Sequence, residues 1–137
     1  MAREIKLAAF KYFKISSERV EDFKGQLKIT PSINIKSIEK AENNKEILAV
    51  EFVFSIDYNG LGKIELTGKM FLAVDSKTMK EAADGWKNKK LDNEINLILL
   101  NIIMQKASLK ALELEEELSL PPHVQLPKLQ IGQPEKK

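Results

Sequence analysis

The sequence predicts an α+β domain: a four-stranded antiparallel sheet, then a short helix, a long helix and an extended proline-rich tail. Two observations carry this prediction. Apolar residues recur at every second position in four stretches of the first half of the chain, as they do in half-buried strands. From residue 75 onward the apolar period changes to three and four residues, which is typical of helices packed on one side.

Size and composition indicate one cytoplasmic domain, residues 1–131, followed by a frayed segment, residues 132–137. The chain of 137 residues has the usual size of a single domain. It has no cysteine, which fits a reducing compartment, and its net charge of +2 is spread without a basic stripe for nucleic acid. The most apolar run, residues 95–104, is too short for a membrane helix, so neither membrane insertion nor export is expected.

The first two stretches are the least regular. Residues 5–15 carry apolar side chains at both parities, which favours a strand that is apolar on both faces, although residues 5–12 also fit a helical stripe. The second stretch, residues 27–35, alternates across Pro31. Because proline cannot donate a ladder hydrogen bond, this strand is predicted at an edge of the sheet or with a bulge.

The third and fourth stretches, residues 48–58 and 64–74, predict a β-hairpin around Asn59-Gly60-Leu61-Gly62. A two-residue turn would pair apolar with charged side chains, since a shift of one residue reverses a strand's faces. A loop with an odd number of residues, in which Gly60 or Gly62 takes a positive φ, keeps the apolar faces together. The same register places Phe52 or Phe54 opposite Gly68.

Two helices are predicted after the sheet. Thr78 and Glu81 have the spacing of a capping box, and Asp92 is a plausible N-cap for a helix that ends near Leu118. The first half of the long helix is apolar almost all round, more than a single small sheet covers. We therefore predict a homo-oligomer, either dimer or tetramer, through a seam of three- and four-residue steps; the alternative is that the sheet and the tail cover the helix. The seam consists of Leu97, Leu100, Met104, Ala107, Ala111 and Leu114.

The sequence offers little sign of catalysis, so the chain is predicted not to be an enzyme and to need no cofactor or metal. Its single histidine is His123. The sequence has no serine in a nucleophile elbow that this histidine could activate, and no cysteine that could bind a metal with it. A surface or tail-packing role is therefore favoured. Residues 60–63 lie between strands and therefore do not form a phosphate loop. The glutamates at 113 and 115–117 are interpreted as the solvated face of a helix end.

Apolar side chains on the second face of the sheet instead indicate an interaction surface. We expect it to bind peptide through strand residues and through apolar residues of the tail, which would lie against it as possible lid residues. The predicted peptide-binding residues are Phe10, Tyr12, Val53, Phe71, Leu126 and Leu129.

Residues 93–100 (NEINLILL) and 118–127 (LSLPPHVQLP), together with the order of elements, resemble the SecB-like chaperone family. The resemblance implies a homotetramer built as a dimer of dimers that holds unfolded polypeptides in apolar grooves without ATP. The chain departs from the family in having residues 101–104 (NIIM) where an aromatic-proline-tyrosine-arginine segment is typical, and in being slightly basic. Docking on a translocase motor is therefore not carried over, and a general or toxin-antitoxin-associated holdase is the expectation.

Two other hypotheses remain open at this point. The chain could be a structural or adaptor protein that self-associates and binds one specific folded partner. It could also be an enzyme, which would require a concave pocket with converging polar groups.

Overall fold

The computed structural model describes residues 5–41 and 44–124, with the backbone alone at residues 44 and 45. Four strands precede two helices: β1 Ile5–Arg19, β2 Thr30–Ala41, β3 Asn44–Asp57, β4 Gly62–Val74, α1 Ser76–Lys87 and α2 Asn93–Leu118. The strands form one antiparallel sheet in the order β1-β4-β3-β2. The predicted α+β class and element order are confirmed. The tail positions Leu126 and Leu129 lie outside the described residues.

Both helices pack on one face of the sheet, here called the covered face; the other is the open face. The side chains of Phe52, Phe54 and Leu66 point to the covered face and are fully buried there with residues of α1 and α2. The alternation of β3 and β4 seen in the sequence therefore separates a core from an open face.

β1 is a strand, and two bulges explain why its sequence is apolar at both parities. The register shifts between Leu7 and Ala9 and again between Tyr12 and Lys14. Each bulge adds one residue and so reverses which parity faces the helices. As a result Leu7, Phe10 and Ile15 pair with inward-facing residues of β4, although no single period connects them.

The β3–β4 hairpin has the predicted odd loop. Tyr58 N–H donates to the Gly62 carbonyl and Leu61 N–H to the Tyr58 carbonyl, which leaves a three-residue loop. Asn59 and Gly60 both take positive φ, 57° and 96°. Ile56 then pairs with Ile64, and Phe52 pairs with Gly68, as predicted.

Pro31 lies in the edge strand β2, as expected for a residue without an N–H, and the strand also bulges between Ile35 and Ser37. The strand begins only at Thr30, so the apolar residues Leu27 and Ile29 belong to the connection before it. Prolines and bulges both limit how far an edge strand can pair with another chain. The free edge of β2 is therefore most regular in its second half, residues 37–40.

Capping residues fix where the helices begin. The Asp75 carboxylate accepts from Thr78 N–H and Thr78 Oγ1, so Asp75 caps α1, one turn before the predicted capping box. Asp92 accepts from the backbone N–H groups of Glu94 and Ile95 and caps α2 as predicted. By length and composition α2 could cross a membrane, and a core helix of a soluble protein has the same properties. Here its buried residues pack on the sheet.

Candidate functional site

An open groove of about 980 Å³ lies between the second half of β2 and helix α1. Its apolar wall combines Ile38, Trp86 and Leu91, and lysines and carboxylates alternate at its rim. Trp86 is half-buried, so that its ring is partly available to a ligand. The groove is therefore concave, largely apolar and open to solvent, as sites for apolar side chains usually are.

The chain reversal after α1 brings Leu91 beside Trp86. Lys89 takes a positive φ of 59°, and the N–H groups of Lys89 and Lys90 donate to the carbonyls of Trp86 and Gly85. A side chain at Gly85 would lie 3.1 Å from the Lys90 oxygen, so the reversal requires a glycine or a shift of the loop. A glycine followed by several lysines is a usual way for a helix to end, but these residues give no indication of a groove in the sequence.

The groove adjoins a free sheet edge. β2 pairs only with β3 within the described sheet, so the other side of its backbone has no strand partner along residues 37–40. An extended peptide that pairs with this edge could direct every second side chain toward the groove. The arrangement thus provides backbone hydrogen bonds for affinity and an apolar wall for an anchoring side chain.

The predicted peptide-binding residues do not form one surface. Phe10 and Tyr12 lie on the covered face, where their ring centroids are 5.0 Å and 6.4 Å from that of Phe52. Val53 and Phe71 point to the open face, on the other side of the sheet. The prediction of a shared groove is wrong because the two bulges of β1 turn its aromatic residues inward.

The open face is mostly polar rather than an apolar groove. Its cross-strand rows include Lys69 beside Glu51 and Lys63 beside Asp57 on β4 and β3. Val53 is half-buried among polar neighbours, and Phe71 is covered in part by the Lys11 ammonium, 5.4 Å from the ring centroid. The expected apolar content is confined to one end of this face.

The predicted seam on α2 divides between solvent and core. Leu97 is 60% exposed and Met104 37%, whereas Ala107, Ala111 and Leu114 are buried in the chain's own core. Leu100 is half-buried. A helix of 3.6 residues per turn drifts by about 20° per heptad from a 3.5-residue seam, and over this length the seam turns onto the sheet. The three buried residues therefore belong to the core of this chain and not to an exposed seam, whereas Leu109, outside the predicted seam, is 67% exposed.

Apolar surface also remains uncovered near the β1 edge. Phe13 and Ile15 of β1, and Val20 and Leu27 in the connection to β2, are all exposed. Isolated apolar residues at a protein surface are ordinary, but these lie along one strand and the connection that follows it. Four large apolar side chains are therefore exposed at this edge, apart from the groove.

A buried polar cluster fastens the end of α2 to the chain that follows it. The Glu115 carboxylate accepts from Tyr58 Oη and lies 3.0 Å from His123 Nδ1, and His123 Nε2 lies 3.0 Å from Ser108 Oγ. The His123 side chain is 0% exposed. Burial and the adjacent Glu115 carboxylate raise the pKa of Tyr58 well above its usual value. The interpretation of Glu115 as solvated is wrong; its position, seven residues after Ser108 and four after Ala111, lies on the buried stripe.

The order Ser108, His123, Glu115 has the connectivity of a catalytic triad, but it lacks access for a substrate. Ser108 is buried within α2, where its hydroxyl also contacts Met104 Sδ at 3.4 Å. The backbone N–H groups around it are bonded within the helix and are not free to stabilise an oxyanion. The cluster therefore packs the segment after α2, the tail-packing role predicted for His123. Among the residues the structure describes, no group of three or more acidic or histidine side chains forms a metal site.

Comparisons with known proteins find a likeness in structure and none in sequence. No protein-family model matches the chain, and no curated protein sequence matches it. One similar solved structure is the Mycobacterium tuberculosis Rv1957 SecB-like chaperone in complex with a ChAD peptide from the Rv1956 HigA1 antitoxin. The likeness covers 92% of this chain and 90% of that chain, with a TM-score of 0.64 and 8% identity. At this identity the likeness shows that the two chains share a fold, and nothing beyond the fold.

Proposed function

We propose that this chain is an ATP-independent holdase of the cytoplasm that binds extended, non-native polypeptide segments, with no catalysis of its own. The observation that carries the proposal is the apolar groove of about 980 Å³ beside the free edge of β2. The fold likeness to a SecB-like chaperone held with a peptide supports it. Fold alone does not fix function, so the groove provides the more direct argument.

In this proposal a client pairs with residues 37–40 and places an apolar side chain against Trp86 and Leu91. Burial of one large apolar side chain contributes about 1.5–3 kcal/mol, enough for reversible holding when several segments bind together. The rim carries Lys40 and Lys87 as well as Glu39 and Asp84. Mixed charges favour neither sign, which suits a binder of many sequences.

Trp86 makes the proposal directly testable because it is the single tryptophan of the chain. A tryptophan-free peptide with alternating leucine and serine should change the intensity and wavelength of Trp86 emission as it saturates the groove. Leu91→Gln should weaken binding about fivefold or more through lost apolar contact. The matched control is Leu109→Gln on the exposed side of α2, which should bind as the wild type does.

Pairing at the edge is tested with the same peptide N-methylated at alternate residues. Methylation on the side that faces β2 should abolish binding, whereas methylation at the intervening residues should not. Equal effects of the two peptides would exclude strand pairing, and an unchanged Trp86 emission would exclude the groove.

Holdase activity is a separate measurement. The folded protein should suppress aggregation of reduced, unfolded α-lactalbumin at near-stoichiometric ratios without nucleotide. Aggregation that proceeds unchanged, with the protein shown to be folded, would refute the holdase and leave only peptide binding.

A second candidate is a structural or adaptor protein that self-associates and binds one specific folded partner. Three large apolar side chains of α2 favour it, since Leu97, Met104 and Leu109 are all exposed to solvent. Such a protein would form a stable homo-oligomer with little surface left for a hydrophobic dye. Strong dye binding by the oligomer would exclude this candidate and favour the holdase.

A further inference from the structure

One end of the open face carries four lysines around a single aromatic ring. The side chains of Lys6, Lys11 and Lys14 of β1 point to this face, and Lys69 and Phe71 lie beside them on β4. We call these five residues the basic corner. It lies on the opposite side of the sheet from both helices, away from the groove at β2 and from the exposed residues of α2.

The basic corner contains an unfavourable pair. Lys11 and Lys69 are direct cross-strand partners. Like charges placed directly opposite each other on neighbouring strands destabilise a sheet. Glu51 is the register partner of Lys69 on the far side of β4. Yet within residues 5–41 and 44–124 no lysine of the corner forms an ion pair shorter than 4 Å with a carboxylate.

The corner also has an apolar floor. Phe71 is half-buried, Lys11 Nζ stands 5.4 Å from its ring centroid, and Ala9 and Ala73 flank it on β1 and β4. A ligand that displaces this lysine from the ring would gain both an apolar contact and ionic ones. The chemistry therefore fits a molecule that alternates carboxylates with apolar groups.

The dimensions and surroundings favour a short segment over a long polyanion. From Lys6 to Lys14 the strand extends roughly 20 Å, about the length of six extended residues, because two bulges leave six register steps between the partners Ala73 and Thr67. Beyond the corner the same face carries Glu18, Glu65 and Asp57, which would repel a continuing phosphate backbone. A single aromatic ring also provides little of the stacking platform that single-stranded nucleic acid needs.

We propose that the basic corner docks an acidic, extended segment of a partner protein, with glutamate or aspartate alternating with apolar residues. The carboxylates pair with Lys11, Lys69 and their neighbours, and an apolar side chain packs on Phe71. This inference does not depend on the groove at β2, and a partner held here leaves that groove open for a client.

The test uses the full chain and a fluorescein-labelled ten-residue peptide of alternating glutamate and leucine, with a glutamine-leucine analogue as control. Fluorescence anisotropy at low salt should show saturable binding of the acidic peptide, weakening as salt screens the charges. Lys11→Gln with Lys69→Gln should weaken binding about tenfold or more. The matched control, Lys63→Gln with Lys28→Gln, removes the same charge elsewhere and should change binding by less than about twofold.

Four outcomes would overturn the proposal. The first is that the acidic peptide does not bind at millimolar protein, and the second is that the two double variants weaken binding equally. The third is that a ten-nucleotide single-stranded DNA binds more tightly than the peptide. The fourth is that the acidic peptide changes the emission of Trp86. The last would place it in the β2 groove. Far-ultraviolet circular dichroism of each double variant confirms that it is folded, so a loss of binding reports on the corner itself.

Discussion

Both tyrosines of the chain bind helix α2 through their hydroxyl groups. Tyr58 Oη donates to the Glu115 carboxylate, and Tyr12 Oη donates to the Lys106 carbonyl at 3.4 Å. Burial raises the pKa of Tyr12 to about 12, and it raises the pKa of Tyr58 further, with help from Glu115. Each hydroxyl therefore joins sheet and helix only while it keeps its proton.

We expect the free energy of unfolding to fall as pH rises above about 10. An unfolded tyrosine loses its proton near pH 10, whereas folded Tyr12 keeps it to about pH 12. The native state then binds more protons than the unfolded state, so stability is lost with rising pH. Urea unfolding at a series of alkaline pH values measures this. Tyr58→Phe should flatten the dependence, and a profile as steep as that of the wild type would contradict the assignment.

Ser119 ends α2 in the left-handed conformation, with φ of 55° and ψ of 39°. Leu120 N–H donates back to the Glu115 carbonyl at 2.8 Å, and the Leu120 side chain is buried. A residue other than glycine is strained in this conformation, which is why glycine is usual at this helix position.

Ser119→Gly should therefore stabilise the fold by about 0.5–1 kcal/mol, since relief of strain exceeds the added chain entropy of the unfolded state. The urea midpoint measures the change. Ser119→Ala keeps the strain and provides the comparison; if it stabilised as much as glycine, conformation at residue 119 would not be the cause.

Among the elements, strands with a regular apolar period were predicted correctly, whereas the faces of strands with an interrupted period were not. β3 and β4 alternate without a break, so their pairing, the odd loop and the contact of Phe52 with Gly68 followed from the sequence. The sequence did not predict which side chains of β1 face the helices, because two bulges reverse the alternation of the strand. Nothing about residues 8 or 13 indicates a bulge. The groove was missed since its walls come from β2 and α1, which no single period connects.

The segment after α2 is held by an element-scale contact, the pairing of His123 with Glu115. Because Glu115 belongs to a run of glutamates at the end of α2, the sequence predicted that its side chain would be exposed. The structure buries it because Tyr58 and His123 together satisfy the carboxylate. A buried, paired carboxylate is costly to leave without partners.

We predict that His123→Ala lowers the free energy of unfolding by about 3 kcal/mol. Combining it with Glu115→Gln should cost less than the sum of the two changes, by about 1–3 kcal/mol, because the residues are in contact. A double-mutant cycle by urea unfolding measures this coupling. Glu113→Gln, on the exposed side of the same turn, should change stability by less than about 0.5 kcal/mol. Additive costs would mean that the pair is not coupled.

At the scale of the whole molecule the layers are unequal. One face of the sheet is covered by two helices, the other is mostly polar, and α2 exposes Leu97, Met104 and Leu109 among polar side chains. Large apolar side chains exposed along one helix are an expected place for self-association.

Light scattering should therefore find a homo-oligomer, and Leu97→Gln with Met104→Gln should shift it toward monomer without lowering the melting temperature of the monomer. Both side chains are exposed, so their replacement removes contacts between chains and not within the core. Leu27→Gln, an exposed apolar residue away from α2, serves as the control. A wild-type chain that is monomeric at high concentration would refute the prediction.

The pairing of β1 with β4 governs when the protein can fold during its synthesis. β1 has no partner until β4 is made, since β4 ends at Val74 and lies between β1 and β3. The β3–β4 hairpin is local and forms quickly, whereas β1 must close a loop of more than forty residues, a step that slows folding. Until then Phe10 and its neighbours remain exposed to solvent on the nascent chain. A ribosome stalled before residue 62 should thus present β1 as a protease-sensitive, aggregation-prone segment.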